Sequence, residues 1–491
     1  MDHEKYIFVY GAAVQGIQQF IFRTDKLKDI VGASELVERI CTSLFREKYL
    51  QSAQPLVNAA GNIKCVFSNE AECRKAVREF PRTVMLAAPG ITISQAVVKT
   101  TQAELDGRFS EVLDRLEAKL HVQRNKSSKS MTIGLAATER SRATGLPAVA
   151  IAGGDYVDEA TMKKAELSDG VGVTLRLCKK SFGLDGLSPR NVALNIADLT
   201  GNNDWIAVIH ADGNGLGEVV RRESGSADSL HTFSDHLDQA TKEAAQAAFR
   251  EVCGIKGSDP IGGVIPFRPV VLGGDDMTMI CRASLALSYV KSYLRNFEEA
   301  TRRHLGGDGL TACAGIAFVK SSYPFHYGYE LAEMLCSQAK KVSKSPGVGG
   351  GRTLAPSSVM FYKVQGSFIE DFGCMVEKEK VPAEGHNFCF GPYFLNQQTG
   401  YWTIDDLEQD SSALSSKDGN TVKTAIRKWM TAMHQDMKMA QQIQDRSEQI
   451  LSGDLKKVFL KATKPQERDG QKFYPAADMI DVHTLQSQTT K

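Results

Sequence analysis

Two stretches of this chain repeat one order of elements, and no other feature constrains the fold as tightly. Near the N-terminus, "KYIFVYGAAVQGIQQFIF" opens as an apolar strand and runs into a helix that continues to about Tyr49. "QPLVNAAGNIKCVFS" reads as a hairpin with Gly61-Asn62 near its turn. "NEAECRKAVREF" is an amphipathic helix stopped by Pro81, and "TVMLAAPGITISQAVVK" returns to strand chemistry. The order then recurs. "DWIAVIHADG" is a strand, and the segment after it is mostly helical, broken by a Gly/Ser-rich stretch. "FRPVVLGGDDMTMIC" is the hairpin, "RASLALSYVKSYLRNFEEATRRH" a helix, and "GLTACAGIAFVK" a strand followed by the helix "YGYELAEMLCSQAKKVSK".

Strand, helix, hairpin, helix, strand is the split βαβ layout of a ferredoxin-like domain. The expected fold class is therefore α+β, with two such βαββαβ units at residues 1–105 and 201–355. Between them, residues 106–200 hold a long amphipathic helix and a connecting region with a Ser/Lys-rich loop, "KSSKS". "SPGVGGGRT" reads as a mobile loop. Residues 356–491 are expected to be mainly helical from about 421 and to end in a disordered tail, "TLQSQTTK". A length of 491 residues suits such a plan, at roughly 100–200 residues per domain.

The second copy differs from the first at the hairpin turn. "VVLGGDDMTMI" sets Asp275 and Asp276 side by side, where the first copy has "NAAGN" and no acid. Adjacent carboxylates repel, and burial raises their cost further. A divalent cation removes both penalties; a solvated Gly-Asp turn is the plain alternative. In "WIAVIHADGNGLG" the apolar run ends at Asp212, on a strand that a ferredoxin-like sheet puts beside the acidic hairpin. A strand-ending aspartate also caps helices. Jointly, Asp212, Asp275 and Asp276 read as catalytic ligands for Mg²⁺ or Mn²⁺, which seek hard oxygen donors. Gly213, Asn214, Gly273 and Gly274 are expected to line a nucleotide. Gly213, Gly215 and Gly217 keep the turn thin, and the helix after them offers N–H groups to phosphates. "SQAKKVSK" puts Lys340, Lys341 and Lys344 at a helix end, a solvated basic end or a phosphate clamp. Metal ions on such acids support in-line nucleotidyl transfer.

A formal net charge of +1 creates no global field toward nucleic acid or membrane. No apolar run is long enough to span a bilayer, and the start lacks signal-peptide order. The ten cysteines include no CxxC pair, which argues against a zinc ribbon or a disulfide framework and for a reducing cytoplasm.

"HADGNGLG" with "LGGDD", followed by a helix containing "AK", resembles the palm domain of nucleotidyl cyclases, diguanylate cyclases and the large polymerase-like subunit of type III CRISPR effector complexes, the last most of all. The opening "VQGIQQFIFRTDKLKDIVGASELV" is similar to that subunit's first palm, "AAGNIKCVF" to its degenerate hairpin, and "GPYF" to a segment after its second palm. The resemblance implies that Lys340, in Ala339-Lys340, contacts nucleotide phosphates. It also implies ATP as substrate, cyclic oligoadenylate as product, a role in antiviral signalling, and RNA or other CRISPR-type subunits as partners. No HD nuclease motif precedes the first unit, so DNA cleavage is not expected. The cysteines that often bind zinc between the palms are absent at "ERSRATGLPAV". Three readings stay open: a cyclic oligonucleotide synthase, a dinucleotide or mononucleotide cyclase, and an RNA-binding scaffold subunit with little or no catalysis.

Overall fold

The computed structural model describes residues 6–24, 26–49, 51, 53–59, 61–126, 137–168, 171–200, 204–223, 225–253, 263–349, 354–366, 371–416 and 419–487. In chain order, the first unit is β1 (Tyr6–Gln15), α1 (Ile17–Ile21), α2 (Leu27–Arg39), α3 (Phe45–Tyr49), β2 (Ala53–Ala59), β3 (Asn62–Phe67), α4 (Glu70–Ala87) and β4 (Thr92–Thr101). Its strands pair antiparallel in the order β2-β3-β1-β4.

Two expectations for this unit need correcting. The first helix does not run unbroken to Tyr49. It stops after Ile21, restarts at Leu27, and passes through a π turn at Ile40–Leu44. At the break buried Phe22 stacks on Tyr329, with ring centroids 3.8 Å apart. Pro81 does not stop α4, which continues to Ala87. A proline inside a helix costs about 3 kcal/mol. Burial of Cys73, Ala76, Phe80 and Val84 on one face offsets it.

Next come α5 (Gln102–Gly107) and α6 (Phe109–Asn125). Leu116 and Leu120 of α6 press on Gly11 of β1, so this helix covers the outer face of the first sheet. A small hairpin follows, β5 (Ala150–Ala152) and β6 (Asp155–Val157), then α7 (Glu159–Ser168), α8 (Val171–Phe182) and α9 (Ala197–Thr200). Most of the Ser/Lys-rich loop lies outside the described residues.

The second unit is β7 (Trp205–Gly213), α10 (Leu216–Glu223), α11 (Ala227–Val252), β8 (Phe267–Gly273), β9 (Asp276–Arg282), α12 (Ala283–Leu305), β10 (Ala312–Lys320) and α13 (Phe325–Ser343). Its sheet runs β8-β9-β7-β10, the same relative order as the first. The sheet continues past the boundary expected at residue 355. Strand β11 (Ser358–Lys363) joins β10 in parallel; beyond α14 (Phe372–Lys380) and β12 (His386–Asn387), β13 (Tyr393–Phe394) pairs with β11.

Side chains alternate along β7, as strand geometry requires. Trp205, Ala207, Ile209 and Ala211 enter a core built with α11 and α12. Ile206 and Val208 enter a second core that includes α13 and residues of the first unit such as Tyr10, Phe22 and Phe45. The two units therefore share one apolar layer, and α13 lies within it. The remainder is α15 (Ile404–Ala413), α16 (Gly419–Gln435), α17 (Met437–Ile450), α18 (Gly453–Thr463), a hairpin of β14 (Gln466–Arg468) and β15 (Gln471–Phe473), and α19 (Ala476–Ser487). Helix α19 extends into the expected tail, of which residues 488–491 lie outside the described residues. Buried Asp478 and Asp481 fasten α19. Asp481 accepts from Lys380 at 3.0 Å and Asp478 from the Tyr393 hydroxyl at 2.9 Å. Among the described residues no helix is long and apolar enough to cross a membrane.

Candidate active site

The acid pair sits on a two-residue turn. Gly273 pairs with Asp276, which leaves Gly274 and Asp275 as the loop. Gly274 has φ 61°, the left-handed backbone that a tight hairpin needs at this position. Strand β7 runs beside this hairpin, with Ala211 opposite Met277. Continuing that register brings Asp212 opposite Asp276 and Gly213 opposite Asp275.

Gly213 is needed for Asp275. A Cβ there would lie 2.9 Å from both Cβ and Oδ2 of Asp275. Gly213→Ala is expected to push the Asp275 carboxyl aside by a fraction of an ångström to an ångström. Such a misplacement costs on the order of 10²-fold in rate. The rate of chemistry at this site should fall by about that much, and the melting temperature by a few degrees, because a Cβ pressed on the Asp275 Cβ forces the backbone to give as well. Wild-type turnover would mean that Asp275 is not held where the chemistry needs it.

Helix α13 brings the cation. It packs directly on β10 at Gly315, where a Cβ would meet the Ala332 carbonyl at 2.0 Å. That approach lets Lys340, near the end of α13, reach across β10 to β7. Its ammonium pairs with Asp212 and donates to the Gly213 carbonyl at 2.8 Å. Burial pushes the Lys340 pKa down, but Asp212 outweighs it and the net shift is upward. Asp212, Gly213, Gly273, Gly274, Asp275, Asp276 and Lys340 thus share one end of the sheet. Lys341 and Lys344 have no such contact with the acids among those described.

Asn214 does not. It is 2 % exposed, and its amide donates to Thr311 Oγ1 at 3.1 Å and to the Ala355 carbonyl at 3.2 Å. It fastens the turn to β10 and the segment before β11 rather than lining an open cleft. Gly215, at φ 66°, lies under Leu354.

The acids strain one another. Burial first, then Asp212, raises Asp275 to about 7; the two carboxyls are close enough to share a proton. Burial, Asp212 and Asp275 raise Asp276 to about 8, although 45 % of its side-chain surface opens to solvent. A carboxyl raised above its unfolded value near 4 takes up protons on folding between about pH 4 and 8, so stability falls as pH rises through that window. In EDTA, Asp276→Asn should therefore melt a few degrees above wild type at pH 8, with a smaller gap at pH 5. An equal gap at both values would contradict the mutual repulsion.

Sequence reasoning passed over three neighbours. His210 is buried two residues before Asp212, on the same strand face by simple alternation. Its Nε2 lies 3.9 Å from Asp276 and its Nδ1 3.3 Å from Thr278 Oγ1. Burial lowers its pKa to about 4, so it is neutral at pH 7. Tyr329 packs edge-on against His210, and Glu333 on the same helix is raised by burial, then by Glu330 and Asp212. Tyr329 and Glu333 also line a 460 Å³ cleft with Gln18, Phe22 and Arg23 of the first unit.

Among the described residues no three His, Cys, Asp or Glu side chains converge on one metal-sized point. The donor chemistry nevertheless fits Mg²⁺, which takes one or two carboxylates and completes its shell with water and phosphate oxygens. The Lys340 ammonium already stands as a cation against Asp212.

Residues 205–346 match the family model of the Cas10/Cmr2 second palm domain. No curated protein matches the chain. Among solved structures, the chain is similar to a Csm1-Csm4 cassette in complex with pppApA, at 14 % identity and a TM-score of 0.60 over 99 % of this chain and 70 % of that one. A cassette in complex with cA3 gives 14 % identity and a TM-score of 0.59 over the same shares. One in complex with AMPPNP gives 15 % identity and 0.54 over 100 % and 70 %. At such identities the structural likeness speaks for the fold. The family match falls on the segment that carries Asp212, Asp275, Asp276 and Lys340, so residues 205–346 are similar to a Cas10/Cmr2 second palm domain, within a chain whose fold is like that in the Csm1-Csm4 structures.

Proposed function

We propose that this chain is a nucleotidyltransferase that joins ATP into a cyclic oligonucleotide, cyclic oligoadenylate, as a signal in antiviral defence. The observation that carries the reading is the meeting of Asp212, Asp275, Asp276 and Lys340 at one sheet end inside the segment matched as a Cas10/Cmr2 second palm. The first unit, with the same strand order and no acid at its turn, serves as a first palm that cradles a second nucleotide. Csm1-Csm4 cassettes carrying AMPPNP, pppApA and cA3 support ATP, a linear intermediate and a cyclic product as the ligand classes. They also support a CRISPR-type subunit as partner.

Asp212, Asp275 and Asp276 would hold Mg²⁺ or Mn²⁺. When bound, the metal lowers the pKa of the attacking hydroxyl and stabilises the leaving pyrophosphate. The chain's own residues do the rest. With a cation in place, Asp275 and Asp276 would stand as carboxylates, and what raises them in its absence would become ligand affinity. Lys340, held by Asp212 and the Gly213 carbonyl, would also contact the phosphates. Neutral, buried His210 adds no competing charge behind Asp276.

The test is a ligand-linked melting shift. A ligand binding only the native state stabilises by RT ln(1 + [L]/Kd), about 2.7 kcal/mol at a hundredfold excess over Kd. Mg²⁺ with a non-hydrolysable ATP analogue should therefore raise the melting temperature by several degrees, on the order of 2–4 °C per kcal/mol for a domain of this size. Mg²⁺ alone should do less, because it keeps its waters until phosphates help bind it. The shift should vanish in Asp275→Ala/Asp276→Ala. An unchanged shift there would place the nucleotide site elsewhere.

A further inference from the structure

The acidic turn is gripped from the side away from Lys340 as well. Lys180, near the end of α8, donates to the Leu272 carbonyl at 2.8 Å and pairs with Asp238 of α11 at 3.1 Å. Thr241, one turn further along α11, donates to the Gly274 carbonyl. Those two carbonyls bracket Gly273, directly before the acids. A Cβ on Gly273 would stand 3.6 Å from Asp238 Oδ1 and 3.9 Å from Lys180 Nζ.

Helix α8 is itself firmly seated. Cys178 and Phe182 are buried, Phe182 stacks on Phe249 at 4.3 Å, and Gln246 donates to the Lys180 carbonyl at 3.0 Å. Four residues before Lys180, on the same helix face, Arg176 pairs with Glu35 of α2 in the first unit. Glu35 is only 7 % exposed and also accepts from Arg39 at 2.8 Å. One face of one helix therefore connects a buried acid in the first unit to the backbone that presents Asp275 and Asp276.

An ammonium on a carbonyl is a charge-assisted bond, stronger than a neutral one. Removing it from Leu272, in the last residues of β8, frees the strand end that leads into the turn to shift, and the carboxyls shift with it. We propose that Lys180 is a positioning residue for the acid pair, and that α8 transmits to it the seating of the first unit through Arg176 and Glu35. The activity arm of this proposal rests on the nucleotidyltransferase reading; the exchange arm does not.

The experiment compares the full chain with Lys180→Met, Lys180→Arg, Arg176→Met and the Lys180→Met/Arg176→Met double variant. Amide hydrogen exchange is followed without nucleotide. Lys180→Met should speed exchange across residues 271–278 by about tenfold, with little change elsewhere, and Lys180→Arg should restore most of the protection. Arg176→Met should raise hairpin exchange by a smaller factor. The double variant should exchange no faster there than Lys180→Met alone, because Arg176 acts through Lys180. In turnover assays kcat for ATP should fall about tenfold or more in Lys180→Met with KM within twofold, and Lys180→Arg should recover at least half of the loss. Faster exchange spread evenly along the chain would reduce Lys180 to a stability contact and overturn the positioning role. Additive effects, or no hairpin response to Arg176→Met, would overturn the transmission through α8. If wild type turns over no ATP, the function is wrong, yet the exchange pattern still decides the roles of Lys180 and Arg176.

Discussion

Replacing Asp275 and Asp276 together with alanine is expected to abolish ATP turnover, by 10³-fold or more, while leaving a protein that melts in EDTA at or above the wild-type temperature. The two halves of that result have one cause. Metal-assisted stabilisation of the transition state is worth several kcal/mol, and about 1.4 kcal/mol corresponds to a tenfold change in rate. Without metal the same carboxyls are costly to ionise, because burial first and then the neighbouring acids push Asp275 and Asp276 up. Alanine removes that cost with the activity. Turnover assays and thermal melts of the one variant check both halves. A variant that loses activity because it has unfolded, or one that turns over at the wild-type rate, would contradict the account.

Asp212→Asn separates charge from shape. The amide is nearly isosteric, and its oxygen can still accept from Lys340, so the turn and α13 should stay in place. The lost charge removes the partner that holds the Lys340 pKa up and one of the neighbours that push Asp275 up. Turnover should fall by about 10²-fold or more, as expected when one metal-binding charge is removed from a phosphoryl-transfer site. Binding of the ATP analogue should persist at reduced affinity, measured by titration calorimetry. Full turnover in this variant would mean that Asp212 serves the turn through Lys340 and takes no part in holding the metal.

Much of the site is legible in the sequence because it depends on short-range pattern. A Gly-Gly-Asp-Asp turn between apolar runs locates the hairpin, and the repeated element order locates β7 beside it. Alternation along β7 would also have found His210, since residues two apart share a face. The role of Asn214 was not legible. Its environment is set by Thr311 and Ala355, far along the chain, and only tertiary packing makes it a buried tie rather than a cleft residue. Pro81 misled for a similar reason: local propensity favours a stop, and burial of Phe80 and Val84 overrides it. The break at Phe22 answers to Tyr329, over three hundred residues away. Lys180 comes from the stretch with the weakest pattern, and no spacing rule connects it to Leu272.

The most direct measurement of the central claim is mass spectrometry of the products formed from ATP with Mg²⁺ or Mn²⁺, with and without added RNA and CRISPR-type partner subunits. The account predicts cyclic oligoadenylates with release of pyrophosphate, preceded by linear species that keep a 5′-triphosphate, and none of these from the Asp275→Ala/Asp276→Ala variant. Cyclic mononucleotide or dinucleotide alone, or unreacted ATP under every condition while RNA binds tightly, would contradict it.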